Sequence, residues 1–569
     1  MSLSTSPKSN TAVTLQQLIE TSGNDRDRQS HSLTQALTTL ISTYSSQLPK
    51  AKTSIAHIPF EQFRLDSRQL AANDVFVLLK SQTPNCQKSR DYLYQAAEQA
   101  AFILSEIDPI ALLSIANVPP HANISFTNDS DRSKAQQQLA ALPCPVVYVP
   151  HIRDFLGDLI QARLQHQQPV TLPTVVAVTG TNGKTTISQL VAQLTQLTGM
   201  SSAVMGTAGN GRLGALVQAS HTTGDALAVQ QFLYQMGLEK AQLLALEASS
   251  HGLDQQRLQG MPVSVAIYTN LSRDHLDYHA DMAEYAAAKA KLFDKAHFPE
   301  LTHAIINIDD EHAQIMLDTA HASGLTVWSY SLDPAKSATF VAADIKPSLQ
   351  GVEIALRTDF GPKKTNIIKL VSPLLGRFNV ANLLAAIATA VALEISLEQI
   401  ADVIPQLQGA VGRMQRVPSA NGCFIVDYAH TPDALSQVLA SLKTHCKGQL
   451  WAVFGCGGDR DAGKRPLMAQ AGLAGADKVV LTADNPRTED PNLILQDMQA
   501  GMTNEQYQRT HIEPARKTAI EYAVKQAAPA DIVVIAGKGH ETYQEINHVR
   551  YDFDDSVILQ HALKQAGRL

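Results

Sequence analysis

Apolar and polar positions follow two alternating patterns from residue 173 onward. Short apolar runs alternate with longer stretches in which apolar residues recur every three or four positions. The first pattern is typical of buried strands, and the second of amphipathic helices. The apolar runs are TVVAVTG, LLALEAS, VSVAIYTN and HAIINID, followed after a gap by FIVDYA, LWAVFG, KVVLTAD and DIVVIAG. Strands that alternate with helices predict βαβ units around parallel sheets.

The chain divides into three parts by this criterion. Residues 1–155 show the alternation least clearly, because a polar excursion near 105–140 interrupts it before PCPVVYVP returns to strand character. A stretch rich in Pro and Gly near 405–422 separates the two later series. We therefore predict three α/β domains, at residues 1–155, 156–410 and 411–569, without an internal repeat.

Composition excludes several classes of protein. With 569 residues, 44% hydrophobic and 17% charged, the chain is too long for one core and is otherwise ordinary for a globular protein. Its five cysteines form no C-x-x-C pair, which argues against a disulfide framework or a zinc ribbon. A net charge of −7 without a basic block gives no footprint for nucleic acid. Neither a signal peptide nor a membrane-spanning run is visible, so we expect a cytoplasmic protein that binds small molecules.

A glycine-rich turn between a predicted strand and a predicted helix is the most informative stretch. It reads VAVTGTNGKTTISQLVAQLTQL, with a strand at 175–179, a tight loop at 180–184 and then a helix. The apolar residues of that helix fall at i, i+3, i+4 and i+7, which places them on one face. They are Ile187, Leu190, Val191 and Leu194.

This turn has the features of a phosphate-binding loop. Glycines let backbone N–H groups point at phosphate oxygens, and the N-terminus of the helix adds positive potential. Lys184 would reach the β- and γ-phosphates, and the hydroxyl of Thr185 would bind Mg²⁺. Val178 stands where the strict G-x-x-x-x-G-K-[ST] template has its first glycine. A plain glycine turn with a surface lysine is therefore the alternative.

Carboxylates and histidines follow two other predicted strands. Glu247 ends LLALEAS, and TNLSRDHLDYH contributes Asp274, His275, Asp277 and His279. In an open α/β sheet, ligands bind at the carboxyl ends of the strands. Spacing alone leaves two interpretations of the histidines: a zinc pair four residues apart on a helix, or solvated loop side chains.

The loop sequence GTNGKTT resembles the phosphate loop of the Mur ligases and of their folylpolyglutamate synthetase relatives. These enzymes form amide bonds at the expense of ATP in the peptidoglycan and folate pathways. Further stretches match in the expected order from about Pro173 to the C-terminus. The resemblance implies a central P-loop ATPase-like parallel sheet. An N-terminal UDP-sugar-binding α/β domain and a C-terminal Rossmann-like α/β domain would flank it.

The same resemblance implies the residues that bind ATP. GRFNVANLLAA matches a stretch whose asparagines lie near the adenine, and GRMQRV and VDYAHTPDAL match nucleotide contacts of the last domain. An arginine from that domain could reach the triphosphate only if the domain closes over the central one. The expected ATP-binding residues are Gly180, Thr181, Asn182, Gly183, Lys184, Thr185, Thr186, Asn379, Arg413 and Asp427.

A magnesium site beside the ATP γ-phosphate is also implied, with Thr185, Glu247, His275 and Lys289 as its ligands. Lys289, in EYAAAKAKLF, matches a family lysine that CO₂ converts into a carbamate. Carbamylation turns an ammonium into a carboxylate-like group that can support a metal. From the sequence alone Lys289 reads as a helix-surface lysine, and Lys291 is nearly as good a candidate. The expected catalytic residues are Lys184, Glu247, His275 and Lys289.

The resemblance places UDP-N-acetylmuramoyl-L-alanyl-D-glutamate against the first two domains. LDSRQL, HTTGDALAVQ and ASSHGLDQQR supply hydroxyl, amide and guanidinium groups suited to a muramoyl peptide and a pyrophosphate. The expected contacts are Ser67, Thr222, Thr223, Ser249, Gln255 and Arg257. The N-terminal part departs from the family, because SQTPNCQKSRDY follows DVFVLLK where a G-x-x-x-D-G motif is expected.

The stretch TADNPRTEDP, at residues 482–491, holds one arginine among acidic residues. Pro486 and Pro491 stiffen it, so Arg487 is interpreted as a recognition device. The diaminopimelate-adding branch of the Mur ligases carries DNPR at its amino-acid site. meso-Diaminopimelate differs from lysine by a second carboxylate, and a bidentate arginine satisfies both of its oxygens. The expected contacts are Arg460, Asp484, Asn485, Pro486, Arg487, Gly537 and Glu541.

The resemblance thus implies a monomeric ligase that adds meso-diaminopimelate to the D-glutamate of the UDP-linked substrate through an acyl phosphate. Three alternatives stay open at the level of sequence: the same reaction with L-lysine, a folylpolyglutamate synthetase and a non-catalytic scaffold. The folylpolyglutamate synthetase should lack LDSR and DNPR, both of which are present. A GTPase-like switch would need an NKxD motif, which the sequence does not contain.

Overall fold

The structure is a computed structural model. It describes residues 12–22, 34–35, 37–42, 54–81, 86–114, 129–218, 222–276, 278–348, 351–359 and 366–569. Asp277 and residues 115–128 of the polar excursion lie outside the described residues. Within the described ranges the chain folds around three large sheets. The domain boundaries at 155 and 410 stay predictions.

The N-terminal sheet has four parallel strands in the order β1-β2-β3-β4. The strands are Phe63–Arg64 (β1), Val75–Leu78 (β2), Phe102–Ser105 (β3) and Val146–Tyr148 (β4). The helices are Leu15–Ser22 (α1), Cys86–Ala97 (α2), Pro109–Ser114 (α3), Asp129–Ala140 (α4) and Leu156–Gln167 (α5). Every residue of β2 and β3 is buried, as expected of a parallel sheet covered on both faces.

The central sheet has ten strands in the order β14-β13-β12-β11-β10-β9-β5-β8-β6-β7. The strands are Thr174–Thr179 (β5), Ser202–Gly206 (β6), Gly209–Gly211 (β7), Leu243–Glu247 (β8), Val263–Tyr268 (β9), His303–Asn307 (β10), Thr326–Ser331 (β11), Phe340–Ser348 (β12), Gly351–Thr358 (β13) and Asn366–Ser372 (β14). The helices are Lys184–Leu197 (α6), Ala226–Leu238 (α7), Ser250–Asp254 (α8), Met282–Ala290 (α9), Ala313–Ala322 (α10), Arg377–Ala392 (α11) and Leu397–Val403 (α12). Alternate residues of β5 face two separate cores, so both faces of the sheet are covered.

This sheet is parallel through its centre, as predicted, and has antiparallel strands at its two edges. Strands β12, β13 and β14 form an antiparallel extension, and β7 pairs antiparallel with β6. Residues of β13 alternate between buried and partly exposed positions, the pattern of a sheet covered on one face. The four predicted apolar runs, by contrast, are the fully or mostly buried parallel strands β5, β8, β9 and β10.

The order of the strands determines where the ligand site lies. β5 pairs with β8 on one side and with β9 on the other, so the chain changes direction across the sheet at β5. In the first pair Val178 lies opposite Glu247, and in the second Thr179 lies opposite Tyr268. The loops after all three strands therefore meet at one edge, which is the ligand-binding position in open α/β sheets.

The C-terminal sheet has six strands in the order β15-β16-β20-β17-β18-β19, with only β15 antiparallel, and a separate hairpin follows it. The strands are Gln415–Val417 (β15), Cys423–Asp427 (β16), Leu450–Phe454 (β17), Lys478–Leu481 (β18), Thr510–Ile512 (β19), Ile532–Ala536 (β20) and, in the hairpin, Tyr543–Ile546 (β21) and Val549–Asp552 (β22). The helices are Pro432–Lys443 (α13), Lys464–Gly475 (α14), Pro491–Gln499 (α15), Asn504–Gln508 (α16), Arg516–Gln526 (α17) and Asp555–Gln565 (α18). Because β17, β18 and β20 are parallel neighbours, the loops that follow them share one edge.

Side chains connect the three sheets. Arg153 donates to the carboxylate of Glu106 and to the carbonyl of Lys80, next to the N-terminal sheet, and also to the carbonyl of Gln255. On the other side, the backbone N–H of Arg377 donates to the hydroxyl of Ser441 at 2.9 Å. Among the described residues, no helix is long and apolar enough to cross a membrane.

Candidate active site

The loop between β5 and α6 is shaped by the residues that follow β9. The hydroxyl of Thr269 donates to the carbonyl of Asn182 at 2.6 Å, and the side chain of Asn270 accepts from the N–H of Asn182 at 3.0 Å. Gly180 has φ +148°, and a Cβ added to it would lie 1.8 Å from the hydroxyl of Thr269. Only glycine fits there, so the predicted phosphate loop is held in one conformation from outside.

Two lysines converge on one carbonyl of this loop. Lys184 Nζ donates to the carbonyls of Gly180 and Thr181 at 2.8 and 2.9 Å, and Lys289 Nζ donates to the same Gly180 carbonyl at 2.8 Å. Burial lowers the pKa of Lys184; the charge of Arg413 adds to this effect, and Glu247 opposes it. The cation expected at the phosphates therefore rests on the loop itself, with a second amine beside it.

Lys289 is buried, in contrast to the helix-surface position expected from sequence alone. Its side chain is 1% exposed and lies over the ring of Tyr285, with Nζ 4.6 Å from the ring centroid. Burial, together with the charge of Lys184, holds the pKa of Lys289 well below its usual range. Lys291, the alternative candidate, instead pairs with Asp254 at 2.8 Å and is one-third exposed. Burial therefore favours the neutral amine at Lys289.

Glu247 lies at the helix side of the loop, as its position at the end of β8 predicts. Its Oε1 accepts from the hydroxyl of Thr185 at 2.9 Å and from the N–H of Thr207 at 2.8 Å, and its Oε2 accepts from the hydroxyl of Thr207. The hydroxyl of Thr186 belongs to the same buried turn of α6. Thr185 and Glu247 thus present two oxygens of the type that Mg²⁺ prefers.

The predicted histidines lie in a cluster of rings that includes Tyr285, the ring over which Lys289 lies. The ring centroid of His275 is 4.9 Å from that of His251, and the Nε2 of His275 is 3.6 Å from a carboxylate oxygen of Asp274. His279 is 1% exposed, and neither of its ring nitrogens has a hydrogen-bond partner among the described residues. Within those residues, no three His, Cys, Asp or Glu side chains are arranged to hold a metal ion.

Asn379 is buried at the start of α11, where its side chain donates to the carbonyl of Leu375 at 2.8 Å. Asn382, one turn later, donates to the side-chain oxygen of Asn379. A Cβ placed on Gly183 would lie 2.7 Å from the side-chain oxygen of Asn382. The residue of α11 that touches the phosphate loop is therefore Asn382, which was not singled out from the sequence.

Arg413 and Asp427 lie where the C-terminal part of the chain approaches the loop. The guanidinium of Arg413 stacks on the ring of Tyr428, 4.3 Å from its centroid, and its charge lowers the pKa of Lys184. The carboxylate of Asp427 accepts from the backbone N–H groups of Met414 and Ala429 at 2.7 and 2.8 Å. Burial raises the pKa of Asp427. Arg413 thus points its charge at the nucleotide loop, while Asp427 fixes the backbone next to Arg413.

The residues predicted to bind the UDP-linked substrate fall into two groups. Thr223 donates to the carbonyl of Glu247 at 2.8 Å, and Arg257 donates to the carbonyl of Thr223 and to the side-chain oxygen of Gln255. Thr222 accepts from the hydroxyl of Thr207 at 3.0 Å. These contacts bring the group next to the carboxylate that borders the phosphate loop.

Two further predicted residues have structural partners of their own. Ser249 caps α8 by accepting from the N–H of Gly252 at 3.1 Å, a normal role for serine at this position. Ser67 lies in the N-terminal sheet region, where its hydroxyl donates to the side chain of Gln95 at 3.1 Å. It belongs to a different element of the fold from the threonine and arginine group.

The loops after β18 and β20 meet in a buried polar network. Asn485 donates to a carboxylate oxygen of Glu541 at 2.9 Å, and Lys538 Nζ donates to both of these side chains at 3.1 Å. Lys538 is fully buried, and it was not singled out from the sequence. Gly537 has φ +115°, and a Cβ there would lie 2.5 Å from a carboxylate oxygen of Asp484. The two loops are therefore in direct contact.

Arg487 occupies the outer part of the same group. Its φ is +50°, its N–H donates to the carbonyl of Glu545, and its guanidinium donates to the carbonyl of Gly458 at 2.7 Å. A Cβ placed on Gly457 would lie 3.0 Å from Arg487 Nη1 and 3.7 Å from the Cγ of Arg460. The two predicted arginines thus flank one glycine of the loop after β17, and Arg460 is the more exposed of them.

The acidic residues that follow Arg487 have structural partners of their own. Glu489 pairs with Arg465 at 2.8 Å and accepts from the N–H of Asp459. Asp490 caps α15 by accepting from the N–H of Asn492. Pro486 is buried, and its carbonyl accepts from the N–H of Glu489 to close a turn. Of the acidic residues in this stretch, Asp484 alone lines the meeting point of the two loops.

Comparison with known proteins identifies the family. Two family models match, the Mur ligase middle domain over residues 178–390 and the Mur ligase glutamate ligase domain over residues 412–539. A protein of Ectopseudomonas mendocina (strain ymp) is 46% identical over 521 residues, which cover 91% of this chain and 97% of that protein. Its name is UDP-N-acetylmuramoyl-L-alanyl-D-glutamate--2,6-diaminopimelate ligase. The chain belongs to the Mur ligase family.

Other Mur ligases agree with this assignment along almost the whole length. The protein of the same name from Vibrio vulnificus (strain YJ016) is 39% identical over 511 residues, covering 90% of this chain and 95% of its own. A solved structure of that title matches with a TM-score of 0.66 and 42% identity, covering 93% of this chain and 99% of its own. The α/β fold and an ATP-dependent, ADP-forming ligase activity follow for this Mur ligase.

Several residues of this Mur ligase site could not be found from the sequence. Arg153 lies outside every quoted motif, whereas Asn382 lies in the matched stretch GRFNVANLLAA with Asn379, and Lys538 lies between the predicted contacts Gly537 and Glu541. The sequence does not distinguish a buried lysine from a surface lysine, because burial at these positions depends on residues far away along the chain. The structure also contains a cavity of about 780 Å³ near Asp158 and Gln259, but no predicted site residue lines it.

Proposed function

We propose that this Mur ligase joins 2,6-diaminopimelate to the D-glutamate of UDP-N-acetylmuramoyl-L-alanyl-D-glutamate, with hydrolysis of ATP to ADP and phosphate. The names of its relatives support this assignment. The observation that carries it is the group formed by Arg487, Asn485 and Glu541, which combines a cation with carboxylate and amide oxygens. Such a set fits a ligand that carries both ammonium and carboxylate groups. The meso isomer, cytoplasmic localisation and a monomeric state stay predictions.

The reaction proceeds in two steps. The side-chain carboxylate of D-glutamate attacks the γ-phosphorus of ATP, which yields ADP and an acyl phosphate. The amine of diaminopimelate then attacks the carbonyl carbon to form a tetrahedral intermediate and loses a proton to solvent. The intermediate collapses to the amide as its bond to phosphate breaks and phosphate leaves. Lys184 would leave the loop carbonyls for the phosphate oxygens, where it stabilises developing negative charge. Arg413 adds a second positive charge near the same position.

Thr185 and Glu247 fit a magnesium ion, because both present oxygen atoms beside the loop. When bound, Mg²⁺ neutralises charge on the phosphates. A carbamate on Lys289 would supply further oxygens. His275 is a less direct candidate, since its ring belongs to the neighbouring histidine and tyrosine cluster.

Carbamylation of Lys289 is supported by the state of its amine. The neutral nitrogen attacks the carbon of CO₂, a C–N bond forms, and one proton leaves to give a carbamate anion. Only the unprotonated amine has the lone pair for this step, and the pKa of Lys289 is well below its usual range because the side chain is buried. The product would carry a negative charge next to Lys184, whose charge would then stabilise it instead of opposing it.

Arg487 is proposed to bind the carboxylate at the far end of diaminopimelate. A lysine substrate has no such group and would leave the guanidinium facing an aliphatic chain, which disfavours lysine. Asp484, Asn485 and Glu541 are proposed to hold ammonium groups of the ligand. Gly537 leaves room for the backbone to approach the ligand, because a side chain there would displace Asp484.

The assignment is tested by measuring ADP release from the purified protein with ATP, Mg²⁺ and the UDP-linked dipeptide. We expect ADP release to require both the dipeptide and the amino acid. The kcat/KM for diaminopimelate should exceed that for L-lysine by at least about tenfold, since an unmade hydrogen bond to a charged group costs about 1.5–3 kcal/mol. Equal rates with the two amino acids would replace the proposal with the lysine-adding activity. ADP release without either co-substrate would exclude a ligase.

A further inference from the structure

A buried ion pair lies beneath the proposed amino-acid site. Arg516 is the first residue of α17, and Asp555 is the first residue of α18; their side chains are fully buried. Arg516 Nε and Nη2 donate to the two carboxylate oxygens of Asp555 at 2.8 and 2.7 Å. This two-fold contact fixes the plane of the guanidinium.

The remaining donors of Arg516 reach the two loops of the site. Nη2 donates to the carbonyl of Ala536 at 2.9 Å, and Nη1 donates to the carbonyl of Ala483 at 3.3 Å. Ala536 ends β20 and directly precedes Gly537, while Ala483 directly precedes Asp484. One guanidinium therefore ties together the points at which both loops leave the sheet.

The spacing between these two points matters at the site. Asp484 and Gly537 already lie in close contact, with no room for a Cβ on the glycine. The negative charges of Asp484 and Glu541 both act on Arg516. A shift of one loop against the other would therefore move Glu541 relative to Asp484, Asn485 and Arg487.

Stability alone is a weak explanation for such a pair. Replacing a buried ion pair by packed apolar side chains is often neutral or stabilising, whereas its directional hydrogen bonds fix geometry. The contacts of Arg516 with two backbone carbonyls are of the second kind, since no shape-matched apolar residue could reproduce them.

We propose that Arg516, oriented by Asp555, is a positioning residue for the amino-acid site. It sets the distance between the Asp484–Arg487 loop and the Gly537–Glu541 loop, and so holds Glu541 in position against the binding groups of the other loop. The inference rests on the proposed function of these two loops.

The first test is Arg516→Lys, assayed as the full-length protein with the same three substrates. Lysine keeps the positive charge but cannot hold the carboxylate and both carbonyls at once. We expect the KM for diaminopimelate to rise by more than about fivefold, the factor for one misaligned hydrogen bond, with the KM for ATP within about twofold. A fall in kcat with an unchanged KM for diaminopimelate would show a merely structural role and overturn the proposal.

Asp555→Asn is the second variant, because it preserves the shape of the side chain and removes its charge. The same rise in the KM for diaminopimelate is expected, with a folded fraction confirmed by thermal unfolding. An unchanged KM in this variant would mean that Asp555 does not orient Arg516 and would overturn that part of the proposal.

Arg509→Lys provides a matched control. Arg509 donates to the carbonyls of Leu473 and Ala476 in the same domain, before the start of β18 and so at the opposite edge of the sheet. We expect its substitution to affect stability and leave the KM for diaminopimelate unchanged. A similar rise in the KM for diaminopimelate in this control would show that the effect of Arg516→Lys comes from general destabilisation, and would overturn the proposal.

The same assay distinguishes a failure of the proposed function from a failure of the positioning role. If the wild-type protein shows no turnover dependent on diaminopimelate, the proposed function and the positioning role both fall. If the wild type uses diaminopimelate, and Arg487→Lys raises the KM for diaminopimelate while Arg516→Lys does not, only the positioning role is disproved.

Discussion

At the residue scale, Lys289 shows how surroundings change the chemistry of a side chain. Its amine is buried, lies over an aromatic ring and faces a second lysine. An ammonium in this position is unfavourable because no carboxylate pairs with it among the hydrogen bonds of Lys289, and its acceptor is a backbone carbonyl. Conversion into a carbamate would remove this conflict.

Replacing Lys289 by Ala should abolish turnover, because the proposed carbamate oxygens are lost. A short-chain carboxylate such as propionate should partly restore the rate by occupying the vacated space. Lys291→Ala is the control: its exposed pair with Asp254 is worth only about 0–1 kcal/mol, and activity should stay close to that of the wild type. Steady-state ADP release is measured for Lys289→Ala, for the same variant with propionate, and for Lys291→Ala. A Lys289→Ala protein with normal turnover would disprove the carbamate.

Arg487 gives the second prediction at this scale. Arg487→Lys replaces a planar fork by a point charge, which cannot bind a carboxylate with two parallel hydrogen bonds. The KM for diaminopimelate should rise by more than about tenfold, as expected for a loss of 1.5–3 kcal/mol. The KM for ATP should change little. If both constants keep their wild-type values, Arg487 does not bind the distal carboxylate.

The burial and the partners of charged residues were the features least predictable from the sequence. The pattern DNPR drew attention to Asp484 and Arg487, but it gave no structural role to Glu489, which pairs with an arginine, or to Asp490, which caps a helix. Likewise, Lys289 and Lys291 are two residues apart with opposite burial. Such differences depend on long-range packing, which the letters of a short motif do not contain.

At the scale of elements, strands and their following loops were the most predictable features. The eight apolar runs correspond to β5, β8, β9, β10, β16, β17, β18 and β20. Strands buried on both faces need continuous apolar residues, and this signal is strong. The antiparallel extension β12–β14 was missed because its residues alternate in burial and resemble ordinary surface segments.

The phosphate loop provides a test at this scale. In Gly180→Ala the new methyl group would collide with the hydroxyl of Thr269, which also holds the carbonyl of Asn182. We expect the affinity for a non-hydrolysable ATP analogue, measured by calorimetry, to fall by more than about tenfold, a loss of about 1.4 kcal/mol or more.

Gly199→Ala is the control for that prediction. Gly199 also has a positive φ, +99°, but a Cβ there would meet no atom within 4 Å. This variant should lose about 1–2 kcal/mol of stability from backbone strain and keep its nucleotide affinity. A Gly180→Ala protein that binds the analogue as tightly as the wild type would show that the loop conformation is not required.

At the scale of the whole molecule, the central and C-terminal sheets are proposed to contribute different groups to one reaction. The central sheet contributes the phosphate loop with Lys184, and the C-terminal sheet contributes the loops around Arg487. Arg413 connects the two, since its charge reaches Lys184 while Asp427 holds its neighbouring backbone. The sequence could indicate each group, but not their relative placement, which depends on how the domains pack.

The most direct test of this arrangement is a crystal structure with a non-hydrolysable ATP analogue, the UDP-linked dipeptide and diaminopimelate bound together. The distance to measure joins the attacking amine nitrogen to the side-chain carboxyl carbon of D-glutamate. We expect about 3–3.5 Å, the separation of groups poised to react, with the distal carboxylate on Arg487. Nucleotide and amino acid bound in pockets that open onto separate faces would contradict the account.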